Sequence, residues 1–205
     1  PITDLQVHRG DLVVATQGRS FWVMDDLSPL RQVSDRVARS DVHFYEPSDA
    51  IQWLNVDSPG NGSTGPNQRP EAPPEGAVFD YYLAEDATDD APVELEVVSP
   101  EGDVVRHWST AAEPPEGGGG FFSSALDESI PGEAGHHRVT WDFRYPGVTE
   151  KPDDVQMWGY TGGFAAAPGT YTARMIAGGD TTSHSFEVRK DPNLESVTVQ
   201  DLEEQ

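Results

Sequence analysis

The residues best suited to chemistry are two neighbouring histidines, His136 and His137, a few positions before Asp142. An imidazole beside a carboxylate serves general acid–base work, and imidazoles grouped with a carboxylate make a metal set. The spacing argues against both. Neighbours on a strand point to opposite faces, so His136 shares a face with Arg138, and His137 with Val139. His8, His43, His107 and His184 are scattered, without His-x-His or His-x-x-x-His spacing. There is no cysteine, hence no disulfide, thiolate ligand or thiol nucleophile. The acidic pairs Asp25-Asp26, Asp89-Asp90 and Asp153-Asp154 offer oxygen ligands of the kind calcium takes, but none sits in an EF-hand loop. No cofactor is expected. Glycoside hydrolysis needs an acid and a nucleophile at a defined separation, and no carboxylate pair here is singled out for it. The chain holds no catalytic constellation.

Binding chemistry is better represented. Arg19 stands at the tip of a turn, as a solvated arginine or as a contact to a neighbouring surface. Trp158, Tyr160 and Phe164, within "MWGYTGGF", offer rings that stack on sugars or fold back onto the protein. Asn61-Gly62-Ser63 fits the N-glycosylation pattern. Gly117 to Gly120 is not a phosphate loop, because no Lys-Ser/Thr follows it.

Composition limits the partners. The 205 residues carry 36 acidic against 13 basic side chains, a formal charge of −23. Such a surface repels nucleic acid and anionic lipid. Lys151 and Lys190 are the only lysines. This composition suits solubility in high salt, and equally an acidic extracellular protein. No apolar run approaches the roughly 20 residues of a membrane span, so no membrane insertion is expected. Neither is there a signal-peptide pattern. A chain that starts at Pro1 reads as a processed product or a fragment of a longer polypeptide.

These residues must be positioned by strands. "DLVVAT" (Asp11 to Thr16) and "FWVM" (Phe21 to Met24) form a hairpin about the turn Gln17-Gly18-Arg19-Ser20. Both are apolar on nearly every residue, which predicts that both faces are covered. Two strands alone are marginal in water, so the hairpin requires neighbours. Asp41 to Pro47 reads as a short strand, and Asp49 to Val56 as a strand or one helical turn. Asp57 to Gly76 is dense in Pro, Gly and small polar residues, and reads as a linker. Strands follow at Ala77 to Leu83, Pro92 to Pro100, Val104 to Trp108, His136 to Tyr145, Gly169 to Ala177 and Thr181 to Lys190. Short strands, frequent turns and no helical periodicity predict a β-sandwich over 77–190. Residues 34–76 connect it to the hairpin of 1–33, and 191–205 form an acidic tail.

Two resemblances follow from particular residues. Gly135, His136, Trp141-Asp142 and Pro168-Gly169-Thr170-Tyr171 are similar to the signature of the immunoglobulin-like module of flagellar hook-capping (FlgD-type) and other secreted bacterial proteins. The resemblance implies a structural role for Trp141 as a core plug, for Asp142 as a turn cap, and for Tyr171 entering the sheet from a corner. More of the chain is covered by a second likeness. The hairpin "DLVVATQGRSFWVMDDLSPLRQ", then Gly76-Ala77-Val78 with Asp80-Tyr81-Tyr82-Leu83, then Trp141-Asp142 with Arg144-Tyr145-Pro146-Gly147, then Ala167 to Tyr171, resembles the C-terminal region of bacterial sortilin-like, BNR-repeat β-propeller proteins, often labelled glycosyl hydrolases. The sequence departs from that pattern at Asp25 to Leu30, which lacks the Gly and Trp of the propeller Asp-box.

The likeness implies the closing hairpin of a propeller blade, with Trp22 structural, followed by an immunoglobulin-like sandwich. The expected role is a non-catalytic structural and interaction module, secreted, periplasmic or at the cell surface. Its partner would be an upstream propeller segment or another chain, with a glycan or protein ligand. Two alternatives stand beside it: part of a glycan-acting hydrolase whose active site lies in the propeller, and a self-assembling surface or filament subunit.

Overall fold

A computed structural model of the chain describes residues 1–53, 76–112, 129–146, 163–194, 197–198 and 201–202. Expectations for the linker up to residue 75, Asn61, the 117–120 glycines, Asp153-Asp154, Trp158 and Tyr160 lie outside the described residues. The fold is all-β. The strands are β1 (Ile2–His8), β2 (Asp11–Thr16), β3 (Phe21–Met24), β4 (Val42–Phe44), β5 (Ala50–Gln52), β6 (Ala77–Leu83), β7 (Val93–Val98), β8 (Val104–Ser109), β9 (Gly135–Trp141), β10 (Gly169–Ala177) and β11 (Asp180–Lys190). Between β3 and β4 lie a short helix, α1 (Ser28–Gln32), and one 3-10 turn, Val37–Arg39. Sequence periodicity did not predict either helical turn. Neither is long enough to show a 3.6-residue repeat, and α1 is signalled only by Pro29 near its start. Among the described residues no helix is long and apolar enough to cross a membrane.

Two sheets form a sandwich. One runs β5-β11-β10-β7-β8, the other β4-β6-β9. Strands β4 and β5 therefore join the strands of the 77–190 region. β5 pairs in parallel with β11, which carries the chain from one sheet to the other. Period-two alternation builds the interior. Phe79, Tyr81 and Leu83 of β6, and Val139 and Trp141 of β9, face Leu95 and Val97 of β7, Tyr171 and Met175 of β10, and Phe186 and Val188 of β11. Trp141 is fully buried, and its indole N–H donates to the Arg144 carbonyl at 2.9 Å. Tyr171 donates its hydroxyl to the Ala167 carbonyl at 2.7 Å, four residues back. Burial pushes that hydroxyl up to about 12, so it stays a donor at any ordinary pH.

The strand predicted over His136 to Tyr145 stops at Trp141. Phe143 adopts φ 58°, which no strand residue takes, while Asp142 caps the turn by accepting the Arg144 N–H at 3.2 Å. The Pro100 to Asp103 turn forms as expected, with Gly102 at φ 96°.

The third sheet, β1-β2-β3, stands apart from the sandwich. Gly18 takes φ 90° in its turn. β1 extends the predicted hairpin to three strands, a pairing that "ITDLQVH" does not announce because its polar residues break the apolar run.

Candidate functional site

Register makes the chemistry of the N-terminal sheet explicit. Val7, Leu12 and Met24 align across the strands, as do Leu5, Val14 and Trp22. Alternation puts these two rows on one face, which is apolar throughout. The other face carries the rows Gln6–Val13–Val23 and Asp4–Ala15–Phe21, apolar except along β1. Nothing among the described residues covers either face. Phe21 is 74% exposed, Ile2 63% and Trp22 61%. The coverage predicted from the apolar strands is thus absent from the described chain, and Trp22 packs no core there.

Charge sets this sheet apart as well. Residues 1–24 hold Asp4 and Asp11 against Arg9 and Arg19, so their formal charge is zero and the rest of the chain carries the whole −23. Monomeric surfaces rarely gather this much contiguous apolar area, and both outer strands leave backbone donors and acceptors open. The arrangement does no bond chemistry. It offers one face apolar throughout, a second apolar along β2 and β3, and two open edges. Burying one large side chain fully contributes about 1.5–3 kcal/mol, and about half of that remains available at each half-exposed position.

Arg19 lies exposed at the turn, with no carboxylate of the described residues paired to it. Phe164 is 81% exposed beside the sandwich, far along the chain from Arg19. The structure brings neither to the other, and Trp158 and Tyr160 lie outside the described residues. Trp141, Asp142 and Tyr171 meet at the sandwich end described above. Among the described residues no group of three or more His, Cys, Asp or Glu is arranged to hold a metal ion.

Asp26 ties the sheet to the sandwich. It sits at φ 54°, its N–H donates to the Asp11 carboxylate at 2.9 Å, and its own carboxylate accepts from Ser28 N–H at 2.9 Å and Ser48 hydroxyl at 3.1 Å. Leu27 N–H donates to the Gly10 carbonyl at 2.8 Å, and Leu27, Pro29 and Val37 are buried at the junction.

Behind the junction, the outer face of β4-β6-β9 carries a polar cluster that sequence reasoning resolved only in part. Register aligns His43, Tyr82 and His136 in one row, and Tyr45 with Asp80 and Arg138 in the next. Asp80 is 3% exposed and accepts from Arg138 Nε at 3.0 Å and its terminal nitrogen at 3.1 Å, with His136 Nε2 also at 3.0 Å. The Tyr45 ring lies between His43, at 4.6 Å, and His136, at 5.7 Å. The shared face of His136 and Arg138 was readable from their spacing. Their carboxylate partner, 58 residues from Arg138, was not.

His43 Nε2 is buried without a hydrogen-bond partner among the described residues. Burial first, then the charges of Arg36 and His184, lower its pKa below the ordinary histidine value. The folded state therefore favours neutral His43. That contribution to stability is fully present above the unfolded value of about 6.5 and is lost as pH falls from there toward the lowered folded value. Urea midpoints measured at about pH 7.5 and about pH 5.5 should fall more for the native protein than for His43→Phe. Equal falls would remove His43 as the cause.

Compared with known protein families and with curated proteins, the chain matches none.

Proposed function

We propose that this chain is the non-catalytic C-terminal structural and interaction module of a secreted sortilin-like, BNR-repeat β-propeller protein. β1-β2-β3 serves as strands of a terminal propeller blade, and the sandwich serves as an immunoglobulin-like domain beside it. The carrying observation is the three-stranded, electrically neutral sheet, apolar throughout on one face and along β2 and β3 on the other, in a chain of charge −23. A propeller blade is a four-stranded sheet whose faces are covered by neighbouring blades, and β1-β2-β3 would supply three of the four strands. The order of motifs after it, from Gly76-Ala77-Val78 to Pro168-Gly169-Thr170-Tyr171, supports the same reading.

Native mass spectrometry with peptide mapping of material from the source tests it. A propeller-bearing polypeptide, continuous with Pro1 or bound to this chain, is the expected result. Particles made only of this 205-residue chain would overturn the reading and favour a second copy as the occupant of the sheet. The replacement of Phe21 and Trp22 by serine should weaken the association by about 2–4 kcal/mol, roughly 30- to 1,000-fold. The sandwich should unfold at an unchanged midpoint, because neither side chain reaches its core. An unchanged dissociation constant would show that the partner binds elsewhere.

A further inference from the structure

A cleft of ≈ 390 Å³ opens at one end of the sandwich, where β5 and β11 finish and the turn after β9 passes. Its volume falls within the range of about 300–1,000 Å³ common to small-molecule sites. Lys190 lines it. The ammonium is held in place by two backbone carbonyls, Leu194 at 3.0 Å and Val197 at 2.6 Å. These satisfy two of its three donors and leave one N–H over, while the Asp201 carboxylate offsets part of the charge from beyond ion-pair distance. Among the described residues no carboxylate forms an ion pair with it, although the chain carries 36 acidic residues. Asp201 feels that charge from farther away. An immobilised cation with a spare donor is a seat for an anionic group.

The rest of the lining narrows the ligand. Trp53 is 50% exposed and lines the same cleft. Asp142, Asp191 and Arg144 supply acceptors and donors along its walls. Asp191 is 6% exposed, and its carboxylate accepts the Asn193 N–H at 2.8 Å. Asp142 accepts from Arg144 N–H, and the Arg144 guanidinium donates to the Gly163 carbonyl at 3.2 Å. These partners fix each polar group in the wall. A flat aromatic face with several fixed polar groups around it suits a ring bearing many hydroxyls. Backbone strain gathers here too. Phe143, which lines the cleft, takes the left-handed φ of 58° that a bulky side chain rarely adopts. Gly76 lies so near the Trp141 carbonyl that any side chain at that position would collide with it, so the wall stays open there.

We propose that this cleft binds an acidic sugar, a hexuronate unit of a glycan, with its carboxylate on the Lys190 ammonium, its ring against the Trp53 indole and its hydroxyls on Asp142, Asp191 and Arg144. The inference does not depend on the propeller reading, since no residue of β1-β2-β3 takes part.

The test uses the full chain, the methyl glycoside of glucuronic acid and the methyl glycoside of glucose, each titrated by NMR at physiological salt. Saturable binding of the uronide at a millimolar constant is expected, with movement of the Trp53 indole N–H signal. The neutral glucoside should bind at least about tenfold more weakly, the worth of one charge-assisted hydrogen bond. Lys190→Met should bring the uronide down to the level of the glucoside. That variant also releases the Leu194 and Val197 carbonyls, so Trp53→Ala, at a half-exposed position, provides the second arm and should abolish binding of both glycosides. Equal binding of the two glycosides would overturn the proposal. So would displacement of the uronide by an equal concentration of acetate, unaltered binding by Trp53→Ala, or no saturable binding at about ten times a millimolar constant.

Discussion

Trp141→Ala should lower the unfolding free energy by about 3–5 kcal/mol. Its side chain is fully buried where the two sheets meet at the end of β9. The indole centroid lies 5.1 Å from Tyr171, 5.6 Å from Phe143 and 6.4 Å from Phe186, all at tilted or edge-on angles. Such aromatic pairs add about 0.5–1.5 kcal/mol beyond area burial. Truncation leaves a cavity that these rings cannot close, because each is anchored from a different strand or turn. It also strips the Arg144 carbonyl of its donor, and with it one constraint on the turn that carries Phe143 and Arg144. The urea midpoint should fall by about 1–2 M at an m-value near that of other domains of this size. Trp141→Phe keeps the ring packing and loses the hydrogen bond, so it should cost about half as much or less. A loss of less than about 1 kcal/mol for the alanine variant would show that the aromatic cluster does not organise the sandwich.

That position was legible through the resemblance carried by Trp141-Asp142 and Pro168-Gly169-Thr170-Tyr171; the structure buries Trp141 and has Asp142 capping the turn that follows. The strands from Ala77 onward were legible because apolar residues recur at every second place between recognisable turns. Where these signals are weak, less was legible: strands were expected near β4 and β5, but not their sheets. β4 and β5 have three residues each, too few to show a period, so their place in the two sandwich sheets emerges only from long-range pairing. β1 mixes polar and apolar residues because only one of its faces continues the apolar rows of β2 and β3.

The sites were less legible than the fold, because each is assembled by register. His43 reaches the row of His136 through Tyr82, and no spacing rule connects those three positions. Lys190 and Trp53 belong to strand ends that meet only because β5 pairs in parallel with β11. The two-faced sheet was half legible. Its apolar runs predict covered faces, and the described residues leave both faces exposed, so the strands state the demand for a cover without naming one.

Arg138→Ala should destabilise the chain by about 3–5 kcal/mol, more than Asp80→Ala, although Asp80 is the buried partner. The two losses are not symmetric. Asp80 is 3% exposed, whereas the side chains of Arg138 and His136 are 36% and 47% exposed. Without Asp80, both the Arg138 and the His136 side chains can turn to water, and the cost is limited to the lost contacts, about 1–3 kcal/mol. Without Arg138, the Asp80 carboxylate stays packed on the outer face of the sheet with only His136 to meet it, as an undercompensated, largely desolvated charge. The double replacement Asp80→Ala with Arg138→Ala removes that charge again and should be more stable than Arg138→Ala alone. Urea unfolding of the three variants at neutral pH measures the cycle. Additive losses, or a larger loss for Asp80→Ala than for Arg138→Ala, would mean that the carboxylate finds water or another donor when the arginine is gone. The predicted order follows from depth alone: in a pair split between interior and surface, the partner that cannot rehydrate sets the penalty for separating them.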